Sequence, residues 1–148
     1  MSGNKMPGVG CGVMVLKGGK VLLGLRNPDP EKASSALHGE GTWTMPGGKM
    51  DFRESPHACA RRELLEETGL SPKSLEIFSV TSDAVHDAHF ITLGFICRSF
   101  EGEAVAREPE EIVEWKWFPL AGVPENMFPP SRKMMDNFID GIVYSEVD

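Results

Sequence analysis

The sequence predicts an α/β domain built on a mixed β-sheet with about two main helices. Three observations lead there. Short apolar runs of strand length recur along the chain, separated by Gly- and Pro-containing turns. Two longer segments carry helix signals, one after Ser55 and one near the C-terminus. No internal repeat, low-complexity tract or linker divides the 148 residues. A single domain over 1–148 is therefore expected, of a size that buries a core without disulfide staples.

Taken in order, the first element is a β-hairpin. Residues 9–16 and 21–25 are apolar, and Lys17-Gly18-Gly19-Lys20 between them suits a turn with positive φ. A loop rich in Pro, Asp, Ser and Gly follows from Asn27 to Gly41, of a length that tends to be functional and to cover a substrate or a partner. Trp43-Thr44-Met45 reads as extended, broken by Pro46-Gly47-Gly48. The clearest helix comes next, with Ser55 as cap, Pro56 at its first position and Gly69 just past its end. Residues 76–82 and 90–97 read as strands, the second apolar enough to be central. Residues 114–118 form a shorter strand, on which Trp115 and Trp117 are expected to alternate between inside and outside. A terminal helix over 131–143 presents Met134, Met135, Phe138 and Ile142 at helical spacing, a stripe that suits core packing.

Charge narrows the function classes. There are 15 basic and 22 acidic residues, a net charge of −7. Such a chain gains no counterion-release drive toward long nucleic acid and no attraction to anionic membranes. A phosphate substrate remains open if a cation mediates the contact. The three cysteines, Cys11, Cys59 and Cys97, form no CxxC pair, which suits reduced thiols in the cytoplasm. No apolar run reaches the ~18 residues of a membrane span, and the polar, Gly-rich start lacks a signal-peptide core.

One feature of the first helix works against folding. With Glu63 at 0°, Glu66 falls at about 300° and Glu67 at about 40°, so three carboxylates leave one face within one turn. Leu65 and Ala58 lie near the opposite side, with Leu64 and Ala60 on the flank, so packing is expected away from the acids. Like charges at these spacings repel by a few tenths of a kcal/mol per pair, at roughly 0.2–0.5 each. The cluster also occupies the last turn, where the helix dipole disfavours anions by about 0.3–1 kcal/mol each. A bound cation would explain the arrangement, and hard oxygen ligands favour Mg²⁺ or Mn²⁺ over zinc. The alternative is a solvated acidic face, since Glu is a good helix former.

The loop ahead of the helix adds Gly47-Gly48, which permits close backbone approach, and Glu54. Together the residues fit G-x5-E-x7-R-E-U-x-E-E-x-G-U over positions 48–70, with U aliphatic: Gly48, Glu54, Arg62, Glu63, Leu64, Glu66, Glu67, Gly69 and Leu70. This is the Nudix box, and the chain resembles Nudix hydrolases. The hairpin ending in Leu25-Arg26, the Trp43-x-Met45-Pro46-Gly47-Gly48 entry and the downstream Glu111…Trp115-x-Trp117-Phe118-Pro119 extend the likeness over most of the length, closest to the MutT-type branch. One departure is Arg53, where family members commonly carry Gly; the turn must either avoid positive φ or tolerate it at a cost.

The resemblance implies an α/β/α sandwich and hydrolysis of a nucleoside diphosphate linked to a moiety X, foremost (d)NTP to (d)NMP and pyrophosphate, with Mg²⁺ (or Mn²⁺) as cofactor. Under it Glu63, Glu66, Glu67, the Gly47 carbonyl and Glu111 are the candidate metal ligands, with Glu110 and Glu114 as alternates to Glu111. Glu63 is the candidate general base and Arg62 the residue that orients a glutamate, though base and ligand roles remain interchangeable among the carboxylates. Arg26, Gly48, Lys49 and Glu54 are candidates for substrate binding, and Arg53 either reaches a phosphate or is solvated. Trp43, Phe90 and Phe128 offer rings for a base, with core packing the blander alternative, and His86-x-x-His89 reads as a rim pair rather than a metal site. Other substrates within the same chemistry are nucleotide sugars, dinucleoside polyphosphates and RNA 5′ ends. A nucleotide-sensing module is the non-enzymatic alternative, against which the retained carboxylates argue. A homodimer is compatible with the family.

Overall fold

A computed structural model describes residues 5–33 and 37–146. The tip of the long loop, 34–36, and the first four residues lie outside the described residues. In chain order the elements are β1 (Gly8–Lys17), β2 (Lys20–Arg26), β3 (Trp43–Thr44), β4 (Gly47–Lys49), α1 (Pro56–Thr68), β5 (Ser71–Pro72), β6 (Glu76–Val85), β7 (Ala88–Cys97), β8 (Phe100–Glu101), β9 (Ile112–Pro119) and α2 (Pro129–Asp140).

The main sheet runs β3-β2-β1-β7-β6, with β4 also pairing β1 and β9 also pairing β2. Only β1 and β7 are parallel among these pairs, so the sheet is mixed. The hairpin turn is as expected, with Gly18 at φ 57° and Gly19 at φ 75°.

The period-2 alternation of the central strands sorts the core into two layers. Cys11, Val13 and Val15 of β1, Leu22 of β2 and Phe95 and Cys97 of β7 pack with Cys59, Ala60 and Leu64 of α1. Met14 and Leu16 of β1 and Val21 and Leu23 of β2 pack instead with Met134 and Met135 of α2. The two helices thus cover opposite faces, which makes the α/β/α sandwich.

Four local expectations change. Gly47 and Gly48 do not end an extended segment; they form β4, paired with β1 through Cys11↔Gly48 and Gly12↔Gly47. A Cβ at Gly47 would stand 2.1 Å from the Cys11 carbonyl oxygen, so only glycine lets these backbones meet. Trp115 and Trp117 do not split between inside and outside: both pack on the α1 layer, because residues two apart on a strand share a face. The terminal helix starts at Pro129 and stops at Asp140, with Gly141 left-handed at φ 67°, so Ile142 falls beyond it and is 40% exposed. Finally, α1 does not pack through Leu65, which is 46% exposed; its buried residues are Cys59, Ala60, Leu64 and Thr68.

That last change matters most. The buried stripe is centred between about 60° and 100° on the wheel, adjacent to Glu67 at about 40°. The acids therefore line the edge of the packed face, between helix and sheet.

Candidate active site

The helix that carries the carboxylates is built as its sequence dictates. The Ser55 hydroxyl accepts from the Ala58 amide at 3.1 Å, and Gly69 closes the helix at φ 80° with its N–H on the Leu65 carbonyl. β4 runs beside it and brings its backbone against the acids. The Gly47 amide donates to Glu67 Oε1 at 2.9 Å. A Cβ at Gly48 would lie 2.2 Å from Glu63 Oε2, so the missing side chain is the space that Glu63 fills.

Arg62 organises the rest. Its Nε and Nη2 grip both oxygens of Glu54, at 2.7 and 2.8 Å. Nη1 reaches Glu63 Oε2 at 3.3 Å and Glu66 Oε1 at 3.1 Å, while Nη2 also donates to the Lys49 carbonyl at 3.2 Å. This bidentate grip holds the Glu54 carboxyl down at about 2 and raises the guanidinium further above its ordinary range. Glu54, expected at the substrate, thus commits its carboxylate to Arg62 and does not line the cleft.

The cleft itself has a volume of about 580 Å³. Its lining combines five carboxylates, Glu63, Glu66, Glu67, Glu108 and Glu111, with the apolar side chains of Phe90, Phe128, Leu37 and Met134 and with Thr44, Thr92 and Ser131. Gly48, Lys49 and Arg26 also border it. Ser131 fixes the floor, accepting from the Met45 amide at 2.9 Å and lying 3.3 Å from the Thr44 hydroxyl.

Electrostatically the carboxylate cluster favours a cation. Burial pushes the Glu67 carboxyl well up; the Gly47 amide opposes this, and the charges of Glu63, Glu108 and Glu111 add to it. Glu63 is raised by burial, against the pull of Arg62. Glu108 is raised by burial and by Glu111 and Glu66. Among the described residues no three acidic, histidine or cysteine side chains already converge on one point, as Arg62 and the Gly47 amide each hold part of the set. The donor chemistry nonetheless fits a hard divalent ion, which would relieve the repulsion that now favours protonation.

Several expected residues sit differently from a sequence reading. Glu111 does line the cleft, but its companion is Glu108, not Glu110 or Glu114, which are exposed. The turn explains the pairing of Glu108 with Glu111: the amides of Glu111 and Ile112 both donate to the Glu108 carbonyl, bringing residues three apart to one side. Arg26 borders the cleft with its guanidinium engaged, donating from Nε to Gly39 and from Nη2 to Ala33 carbonyls and lying 4.6 Å from the Phe128 ring centroid. It ties the long loop to the strand. Trp43 packs edge-on against Phe118 at 4.9 Å, whereas Phe90 and Phe128 reach the cleft. His89 bonds the Ser82 hydroxyl at 3.0 Å, outside the cleft. Arg53 is exposed at φ 71°, so the turn tolerates positive φ. The cysteines are free and buried, Cys11 and Cys59 with sulfurs 3.1 Å apart.

Known proteins share this arrangement. The NUDIX domain family matches residues 5–138. An RNA pyrophosphohydrolase of Roseobacter denitrificans is 29% identical over 87% of each chain. An 8-oxo-dGTP diphosphatase of Escherichia coli is 26% identical, covering 74% of this chain and 85% of its own. The crystal structure of a MutT NUDIX hydrolase from Burkholderia pseudomallei superposes with a TM-score of 0.79 at 28% identity, over 89% of this chain and 98% of that one. With the box on α1, the sandwich beneath it and these relatives agreeing, the chain belongs to the Nudix family as a hydrolase of MutT type.

Proposed function

We propose that the protein is a divalent-metal-dependent nucleoside triphosphate pyrophosphohydrolase, releasing (d)NMP and pyrophosphate in the cytoplasm. The observation that carries this reading is a single cleft lined both by five carboxylates and by Phe90, Phe128, Leu37 and Met134. Its volume of about 580 Å³ suits a single small ligand. Apolar side chains with a few hydroxyls in the lining suit a flat base better than a second sugar, which would ask for more hydrogen-bonding groups.

Mg²⁺, with Mn²⁺ as substitute, would be held by Glu66, Glu67, the Gly47 carbonyl and Glu111, with Glu108 beside them; it would supply neutralisation of phosphate oxygens and a more acidic water. The chain's residues do the rest. Glu63, whose affinity for a proton burial has raised, takes the proton of the attacking water. The water oxygen bonds to one phosphorus of the α–β bridge as its bond to the bridging oxygen breaks; that oxygen and the electron pair leave with the other fragment, so that (d)NMP and pyrophosphate result. Arg62 keeps Glu63 and Glu66 oriented, and Glu54 keeps Arg62 in place. Gly48 leaves room for Glu63 beside the phosphate chain, and Lys49 offers that chain a cation.

The Roseobacter relative supports a second reading, a triphosphorylated RNA 5′ end opened by the same chemistry. A panel of NTPs, dNTPs, 8-oxo-dGTP, ADP-ribose, a dinucleoside polyphosphate and a 5′-triphosphorylated oligonucleotide, with Mg²⁺ and products resolved, decides between them. Fastest release of pyrophosphate from mononucleotides is expected. Preference for the oligonucleotide or for ADP-ribose overturns the reading. Light scattering on the same preparation tests the homodimer.

A further inference from the structure

We propose that Trp115 is a positioning residue that sets the distance between the two halves of the acidic cluster, acting through the Glu67 carbonyl; this rests on the reading of that cluster as a metal site. The halves come from separate elements: Glu63, Glu66 and Glu67 from α1, Glu108 and Glu111 from the loop leading into β9.

Residues on either side of Glu108 and Glu111, one in the loop and one in β9, meet one oxygen atom. The Trp115 indole Nε1 donates to the Glu67 carbonyl at 3.2 Å, and the Arg107 amide donates to the same oxygen at 3.4 Å. Arg107 directly precedes Glu108, and Trp115 lies four residues beyond Glu111. As a last-turn carbonyl, this oxygen has no partner further along α1 and is free to be claimed from outside. Its own side chain is held from the other direction by the Gly47 amide. Residue 67 is therefore the point where helix, β4 and the acidic loop are joined.

The indole reaches this oxygen because of what lies under it. Trp115 stands opposite Gly24 in the β2–β9 register. A Cβ at Gly24 would come within 2.7 Å of indole Cζ3 and 2.6 Å of Ile112 Cγ2. The backbone of β2 accepts alanine, so the glycine is needed by the ring and not by the strand. Trp117 provides the contrast: it packs on the same core layer, but its ring stacks on Phe100 at 6.0 Å.

The test uses Trp115→Phe, which keeps a ring and removes the donor, with Trp117→Phe as control. Mn²⁺ binding is followed by the resonance signal of the free ion, without substrate, and amide exchange is followed at residues 107–112 in metal-free buffer. Trp115→Phe is expected to weaken Mn²⁺ about 10-fold, the usual scale for losing a partner that orients metal ligands, and to speed exchange of the loop amides. Gly24→Ala should reproduce both changes and add nothing further in the double variant. Trp117→Phe should stay within about twofold of wild type. Unchanged loop exchange in Trp115→Phe, or an equal effect from Trp117→Phe, overturns the proposal. Wild-type protein that takes up no Mn²⁺ overturns the metal reading instead, and the exchange measurement still decides the tether.

Discussion

The two helices occupy equivalent places on opposite faces of one sheet, yet they are built to opposite rules. α2 is amphipathic in the ordinary way: Met134 and Met135 are fully buried and Asp136, Ile139 and Asp140 face out. α1 buries small residues, Cys59, Ala60 and Thr68 with Leu64, and places acids along the seam where it meets the sheet. Its last turn carries Glu66 and Glu67 and no basic residue, against the dipole. One helix closes the core; the other keeps an unfavourable charge array in place and depends on its caps and on Arg62 to do so. Stability and function are thus separable by face, and the contrast can be tested from both sides.

The largest effect is expected on α1. Glu67→Gln and Glu63→Gln should each lower turnover at least about 100-fold, while the melting temperature in metal-free buffer stays level or rises. In the Glu67→Gln variant the new side-chain amide oxygen could still accept from the Gly47 amide, and each change removes a repelling charge worth about 0.3–1 kcal/mol. Steady-state kinetics and thermal melts on the same samples check both halves. The mirror experiment is Met135→Ala on α2. It should destabilise by about 2–5 kcal/mol in denaturant melts, with kcat little changed in the fraction that remains folded.

A smaller effect separates the carboxylates by pH. Glu63, Glu67 and Glu108 have raised values, so the folded state binds protons more readily than the unfolded one there. Their contribution is fully present below the ordinary carboxylate range and is lost as pH rises through their raised values. Glu54 has the opposite sign: held at about 2, its contribution is present above the ordinary range and is lost as pH falls from about 4.5 toward 2. Metal-free protein should therefore gain stability as pH is lowered from neutral toward the ordinary carboxylate range near 4.5, and lose the Glu54 part of it as pH falls from there toward 2. Saturating Mg²⁺ should flatten the upper part of this curve, and melts at several pH values with and without Mg²⁺ measure it. Smallest is Arg53→Gly. It relieves a non-glycine residue at φ 71° and should raise the melting temperature by at most a few degrees, for about 0–1 kcal/mol after the added flexibility of the unfolded chain.

The box was legible because its parts are local: a cap, a proline, a left-handed glycine and glutamates at fixed helical angles. Which face of α1 packs was not, since its apolar residues are few and the small ones beneath Glu67 carry little hydrophobic signal. Leu65 drew the packing face toward itself and proved exposed. Glu108 was hidden for a different reason. Its nearness to Glu66 depends on β9 returning beside β2, a pairing of distant segments that no local pattern announces. The role of Gly48 likewise depends on a side chain 15 positions away that occupies its empty place.

If the acidic cluster holds a metal as proposed, Arg62 also bears on which cation it would take. Its guanidinium is already the counter-ion of the site, shared among Glu54, Glu63 and Glu66. An ion that takes Glu63 Oε2 or Glu66 Oε1 would compete with this resident monovalent cation. Sodium or potassium brings no more charge than the arginine it would displace, and gains little by exchange. A divalent ion brings twice the charge, and Arg62 can fall back on its two bonds to Glu54 when displaced. In a metal site the arginine would then act as a charge threshold, holding the glutamates in order and favouring a divalent over a monovalent ion.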